Sequence, residues 1–199
     1  MIEQLLTDIK ECQHCKDNLP LGAKPVLRAT GNASLLVVGQ APGIRVHNTG
    51  IPWNDPSGDR LRKWLNMDKQ QFYDANRIAI IPMGFCYPGK GKSGDMPPRP
   101  ECALLWRDKL HQQLPNIKLT LLIGKYAQAY YLKDGMKKTL TETIQAYEEY
   151  LPLGFLPLVH PSPRNQAWHK KNQWFERDVI PILQTAVKEV LPSTVKLDT

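Results

Sequence analysis

The sequence predicts an α/β protein, a three-layer α/β/α sandwich around a central, mainly parallel four-stranded sheet. Three observations predict it. Four short, apolar, β-rich runs each stop at a glycine, proline or histidine. Segments of helical character alternate with them, the order of a strand–helix–strand fold. The runs are apolar at successive positions rather than alternating, as in strands buried on both faces of a parallel sheet.

In chain order, Ile2, Leu5, Leu6 and Ile9 fall at i, i+3, i+4 and i+7 and predict an N-terminal amphipathic helix. Residues 35–38 form the first strand, ending at Gly39. Ser57 can cap a helix through Leu65. Residues 78–81 form the second strand, ending at Pro82, and Pro100 is placed to open a helix through Leu114. The third strand spans 117–123 and ends at Gly124, with helices over 125–132 and 140–150. The fourth spans 155–159 and ends at His160. Phe175, Val179, Ile182, Leu183, Ala186, Val187 and Val190 mark the last helix, in which Pro181 predicts a kink near Arg177.

The 199 residues fit one domain, 1–199, with 192–199 as a tail. Hydrophobic residues at 42% and charged residues at 23% exclude a disordered, collagenous or coiled-coil chain. No apolar run reaches the length of a membrane span. The acidic N-terminus has no signal-peptide core, so the chain is expected in the cytoplasm, as a monomer, with reduced thiols. The net charge of +7 favours a polyanionic partner.

In open α/β sheets ligands bind beyond the carboxyl ends of the strands. The residues there carry unusual chemistry. Gly39, Gln40, Ala41, Pro42 and Gly43 form a turn that lets backbone approach a ligand. Trp53, Asn54 and Asp55 place an aromatic, an amide and a carboxylate beside a helix start. An indole can stack on a base, and a carboxylate can orient water; equally, Asp55 or Ser57 can cap the helix and Trp53 can belong to the core. In the loop from His160 to Asn165, imidazole can donate to charge on a leaving group, while Ser162 and Arg164 can hold phosphates. Lys90, Lys92, Arg99, Lys170 and Lys171 are further candidate phosphate contacts.

Cys12 and Cys15 form a C-x2-C pair, and Cys86 and Cys102 flank a Pro/Gly-rich loop. Such a set can ligate zinc or an iron–sulfur cluster, and spacing does not decide between them. His14 or His111 can substitute in a zinc site.

Together these residues resemble the uracil-DNA glycosylase superfamily. The marks are Gly39-Gln40-Ala41-Pro42-Gly43, Gly50-Ile51-Pro52-Trp53, Asp55-Pro56-Ser57-Gly58-Asp59 and His160-Pro161-Ser162, in that order. The cysteine layout looks like that of the bacterial and archaeal branches with a 4Fe–4S cluster. The resemblance implies a DNA-repair enzyme that flips a damaged base, uracil first among them, into a pocket and hydrolyses its bond to the sugar. It implies a cluster on Cys12, Cys15, Cys86 and Cys102 that joins the N-terminal helix to the 86–102 loop, a structural subregion distant in sequence from the catalytic groups. It gives Trp53 the stacking position and His160 that of the electrophile.

Two residues depart from the pattern. One branch has glutamate where this chain has Gln40, and an amide cannot take a proton. Asp55, in a stretch similar to the Asp-Ala-Ser-Gly-Asp of the other branch, is therefore assigned the carboxylate, with Gln40 helping to orient water or base; Asp59 is expected on the helix. Pro82 stands where those branches place an asparagine that reads the uracil edge, which leaves the edge to backbone groups or to a residue such as Asn54, or else implies a substrate other than uracil. Two other readings stay open: a superfamily member that binds nucleic acid without cleaving it, and a zinc-containing α/β enzyme acting on nucleotides.

Overall fold

A computed structural model describes residues 1–191; the tail predicted for 192–199 lies outside the described residues. The chain order is α1 (Ile2–Lys10), β1 (Leu35–Val38), α2 (Ile44–Thr49), α3 (Pro56–Leu65), α4 (Lys69–Phe72), β2 (Ile78–Ile80), α5 (Asp108–Gln112), β3 (Leu119–Ile123), α6 (Lys125–Leu132), α7 (Leu140–Gln145), α8 (Tyr147–Tyr150), β4 (Phe155–Leu158), α9 (Gln166–Lys171) and α10 (Ile180–Val190). The four strands form one sheet in the order β2-β1-β3-β4, and every pairing is parallel.

Strand periodicity explains the three layers. Successive side chains point to opposite faces. Leu35 and Val37 of β1, with Leu121 and Leu156, face a core completed by Leu61 and Trp64 of α3 and Leu183 of α10. Leu36 and Val38, with Ala79 and Leu122, face a second core completed by Ile9 of α1, Leu110 of α5 and Ala127 of α6. Both faces are dry, so the strands read as unbroken apolar runs. The short edge strand β2 is covered by the chain before β1, where Arg28 and Ile80 exchange both backbone hydrogen bonds at 2.9 and 2.7 Å.

Some local expectations change. Asp55, not Ser57, caps α3: its Oδ1 accepts from the Gly58 N–H at 2.8 Å, with Pro56 in the first turn. The helix expected from Pro100 begins at Glu101, widens into a π-helical turn over Ala103–Arg107 and ends with α5. The helix expected over 140–150 divides into α7 and α8 at Ala146. Pro181 has no N–H and would crowd the carbonyl of Arg177; the chain answers with a π-helical turn over Phe175–Val179 directly before α10.

Candidate active site

The carboxyl ends of β1, β2, β3 and β4 open on one edge of the sheet, where Gly39, Pro82, Gly124 and His160 follow them. β1 turns at Gly39–Gly43 into α2, which the left-handed Gly50 ends at φ 69°. The chain then reaches Trp53, a non-glycine residue at φ 56°. A bulky residue in that region is strained and must be held by its surroundings. The holders are identifiable. The Tyr73 hydroxyl donates to the Pro52 carbonyl at 2.8 Å, and Arg62 Nη1 donates to the Trp53 carbonyl at 3.2 Å and to the Tyr73 hydroxyl at 3.3 Å. Arg62 is buried, and its Nη2 meets Asp59, on α3 as expected, at 2.6 Å. The indole lies on the first loop: a β-carbon on residue 39 would stand 2.8 Å from Trp53 Cζ2.

Trp53 and His160 come together, with ring centroids 5.5 Å apart and planes 31° from parallel. Burial holds the His160 imidazole below its usual value, while Asp55 pulls the other way. Neutral imidazole keeps one N–H donor and one acceptor. The loop that carries it is pinned: Asn165 Nδ2 donates to the His160 carbonyl at 2.8 Å, and Ser162 Oγ accepts from the Arg164 N–H at 3.2 Å. Asn165 thus meets the loop through its amide rather than opening on the main cavity.

That cavity encloses about 330 Å³. Gly39, Gln40, Ala41, Pro42 and Gly43 line one side, Trp53 and Asp55 another, and His160, Ser162 and Arg164 a third. Asn54 is not part of its wall. Val26, Ile80 and Pro82 make an apolar portion. Pro82 has no N–H to offer, and its carbonyl accepts from Arg107 Nη2 at 2.6 Å. The neighbouring N–H groups of Met83 and Gly84 are spent on the carbonyls of Gly39 and Gln40, both at 2.9 Å. Gln40 Nε2 donates to the Met96 carbonyl at 2.9 Å, which ties the first loop to the 86–102 loop. A second cavity of about 270 Å³ lies behind Gln40 and His160, lined by Gly124, Tyr126, Asn165 and Trp168.

Three side chains in or beside the candidate site escaped the sequence reading. Asp95 adds a carboxylate to the main cavity, so the 86–102 loop also contributes to the pocket wall. Arg62 and Arg107 are buried guanidinium groups that hold main-chain carbonyls. A surface helix pattern gives no sign of either, since arginine at those positions reads as solvated charge. Among the candidate phosphate contacts, Arg164, Lys170, Lys171, Lys90 and Lys92 are exposed. Arg99 is not available in that way: it pairs with Glu101 and lines a void beside the cysteines.

That void, about 20 Å³, is lined by Cys12, Cys15, Cys86 and Cys102 together with Phe85 and Trp106, and neither His14 nor His111 takes part. All four are free thiols. Burial, aided by the charge of the other cysteines, pushes Cys86 up to about 12 and Cys102 up to about 11. Among the described residues no group of three His, Cys, Asp or Glu side chains is drawn together as around a single metal ion. A donor set of four soft thiols suits a thiophilic metal group, and a multi-iron cluster spreads its ligands over separate irons, whereas zinc draws four sulfurs to about 2.3 Å from one centre.

Among the described residues no helix is long and apolar enough to cross a membrane. A comparison with protein-family models matches residues 27–184 to the one described as the uracil DNA glycosylase superfamily.

Proposed function

The chain belongs to the uracil DNA glycosylase superfamily, and on that premise we propose that it excises a deaminated or damaged base, uracil first among them, from DNA by hydrolysing the bond between sugar and base. The observation that carries this reading is the meeting of Trp53, Asp55 and His160 on one cavity at the carboxyl ends of the strands. Breaking a glycosidic bond builds positive charge on the sugar and negative charge on the base. Asp55 is fixed by its cap to Gly58, so one oxygen is engaged and the other is left to favour the cationic sugar. His160, kept neutral by burial, donates its N–H to a base oxygen as negative charge develops there. Trp53 supplies an apolar face for the extruded base, at the cost of a strained backbone that Arg62 and Tyr73 hold.

Cys12, Cys15, Cys86 and Cys102 would hold a 4Fe–4S cluster, with zinc as the alternative. It would act as a clamp between the end of α1 and the 86–102 loop. Metal loading must displace thiol protons, so it should be favoured by rising pH. The exposed Arg164, Lys170 and Lys171 would meet DNA phosphates on the side of the His160 loop.

A second reading rests on Gln40 and Pro82: an amide without a carboxylate's charge, and a carbonyl already claimed by Arg107. They favour a member that binds DNA without cleaving it. Single-turnover excision by wild type, Asp55→Asn and Gln40→Ala separates the roles. Asp55→Asn is expected to be slower by about 10²-fold or more, the scale of electrostatic and acid–base groups. A wild-type rate in Asp55→Asn with a dead Gln40→Ala would move the carboxylate's task to the first loop.

A further inference from the structure

The tip of the 86–102 loop is folded back on itself. Lys90 and Asp95 form an antiparallel bridge, the Gly91 N–H donates to the Gly94 carbonyl at 2.7 Å, and the Met96 N–H donates to that of Gly89 at 2.8 Å. The tip is wedged between the two loops that bear the site. On one side Gln40 grips the Met96 carbonyl, and a β-carbon on residue 43 would stand 3.3 Å from Asp95 Oδ2. On the other, a β-carbon on residue 94 would stand 3.3 Å from Arg164 Nη1. Asp95 therefore enters the cavity wall from a braced turn, and glycine at 43 leaves room for its carboxylate.

The carboxylate and amide groups of the cavity are not equally free. Asp55 has an oxygen committed to Gly58, and Gln40 is neutral and committed to Met96. Among the described residues no hydrogen bond engages the Asp95 carboxylate. Hydrolysis needs an acceptor for a proton of water. Resting on the glycosylase reading, we infer that Asp95 is a catalytic residue that accepts the proton of the attacking water, leaving Asp55 to favour charge on the sugar.

In that step the bond from sugar carbon to base nitrogen breaks and its electron pair leaves with the base, where the His160 N–H meets a base oxygen. The water oxygen forms the new bond to the sugar carbon. Its proton passes to Asp95 and then to solvent, and the departing base takes a proton from solvent. Partial desolvation at the cavity wall lifts the carboxyl of Asp95, an exposed residue, above its usual range; Arg164 and Lys90 pull it down, and Asp55 lifts it. A more basic carboxylate is a better proton acceptor.

The test is single-turnover excision between about pH 4.5 and 8, with DNA binding measured alongside. The substrate is an oligonucleotide carrying a base that wild type removes. Asp95→Asn is expected to slow excision by about 10²-fold or more, with unchanged DNA affinity. The fall in rate toward acid should vanish in Asp95→Asn, persist in Asp55→Asn, and return with part of the rate in Asp95→Glu. Asp95→Asn within about threefold of wild type, or an acid limb that it retains, overturns the inference alone. Lost DNA affinity in Asp95→Asn would make it a binding residue and also overturn it. A wild type inert on every base tested would instead remove the glycosylase reading, and this inference with it.

Discussion

The carbonyl oxygen of Trp53 lies 1.7 Å from the point that a β-carbon on residue 58 would occupy. The strained Trp53 backbone and the first turn of α3 therefore fit together only when residue 58 is glycine. Gly58→Ala must push backbone against backbone. It is expected to cost about 1–3 kcal/mol, as overpacking does, and to displace the indole from Gly39. Arg62→Met removes the donor to the same carbonyl and should cost about 1–3 kcal/mol for a buried acceptor left unmet. Chemical denaturation together with Trp fluorescence checks both; a Gly58→Ala protein with wild-type stability and spectrum would show that the loop adapts freely.

The pH dependence of stability follows from four histidines. Burial holds His47, His111, His160 and His169 below the usual imidazole value, aided by Lys24, Arg107 and Arg60 at His47, His111 and His169 in turn. The unfolded chain takes these protons near its ordinary value of about 6.5, while the folded chain resists them. Their contribution is thus intact above about pH 6.5 and is lost as pH falls toward the depressed folded values. The Asp95 carboxyl, raised in the fold, acts in the opposite sense at lower pH. The urea midpoint should be lower at about pH 5.5 than at about pH 7.5. His169 sits among Trp64, Trp168 and Phe175 with neither ring nitrogen hydrogen-bonded and with Nδ1 4.0 Å from a Glu176 oxygen, which pulls its value up. His169→Phe should flatten the fall, and an unchanged slope would remove His169 from the explanation.

DNA affinity should depend on salt through the exposed cations that follow His160. Arg164→Ala and Lys170→Ala are each expected to flatten the slope of log affinity against log salt by about one unit. Lys92→Ala, on the 86–102 loop, offers the comparison. Unchanged slopes in Arg164→Ala and Lys170→Ala would leave these side chains as ordinary solvated charge.

Protein prepared without oxygen is expected to carry about four irons per chain and a visible thiolate-to-iron band. Any one of Cys12, Cys15, Cys86 or Cys102 changed to serine should lose much of both. Stoichiometric zinc in such a preparation would replace the cluster while keeping the four ligands.

Much of the fold was legible because its strands are buried on both faces, so Leu35–Val38 or Leu119–Ile123 announce themselves as apolar runs. The residues just beyond them, Gln40 and His160, were legible as candidates lining one cavity for the same reason: strand ends fix where ligands bind. What stayed hidden depends on folding at a distance. Asp95 lies in a Gly/Pro-rich loop with no periodic signal, and only the packing of Gly94 and Met96 against Arg164 and Gln40 brings it to the cavity. The buried roles of Arg62 and Arg107 arise from carbonyls contributed by other elements. Unlike the turn before Pro181, the π-helical turn at Ala103–Arg107 has no proline directly after it, and its residues gave no cue to it.

The most direct measurement is strand cleavage, resolved on a gel after alkali, of an oligonucleotide carrying one uracil, run beside a panel of other deaminated and damaged bases. Wild type is expected to release at least one of these bases. His160→Ala should do so at a rate lower by about 10²-fold or more while binding the same DNA almost as tightly, because phosphate contacts dominate affinity. Wild-type protein that binds DNA yet leaves every base in the panel in place would contradict the glycosylase assignment and make this a nucleic-acid-binding member of its superfamily.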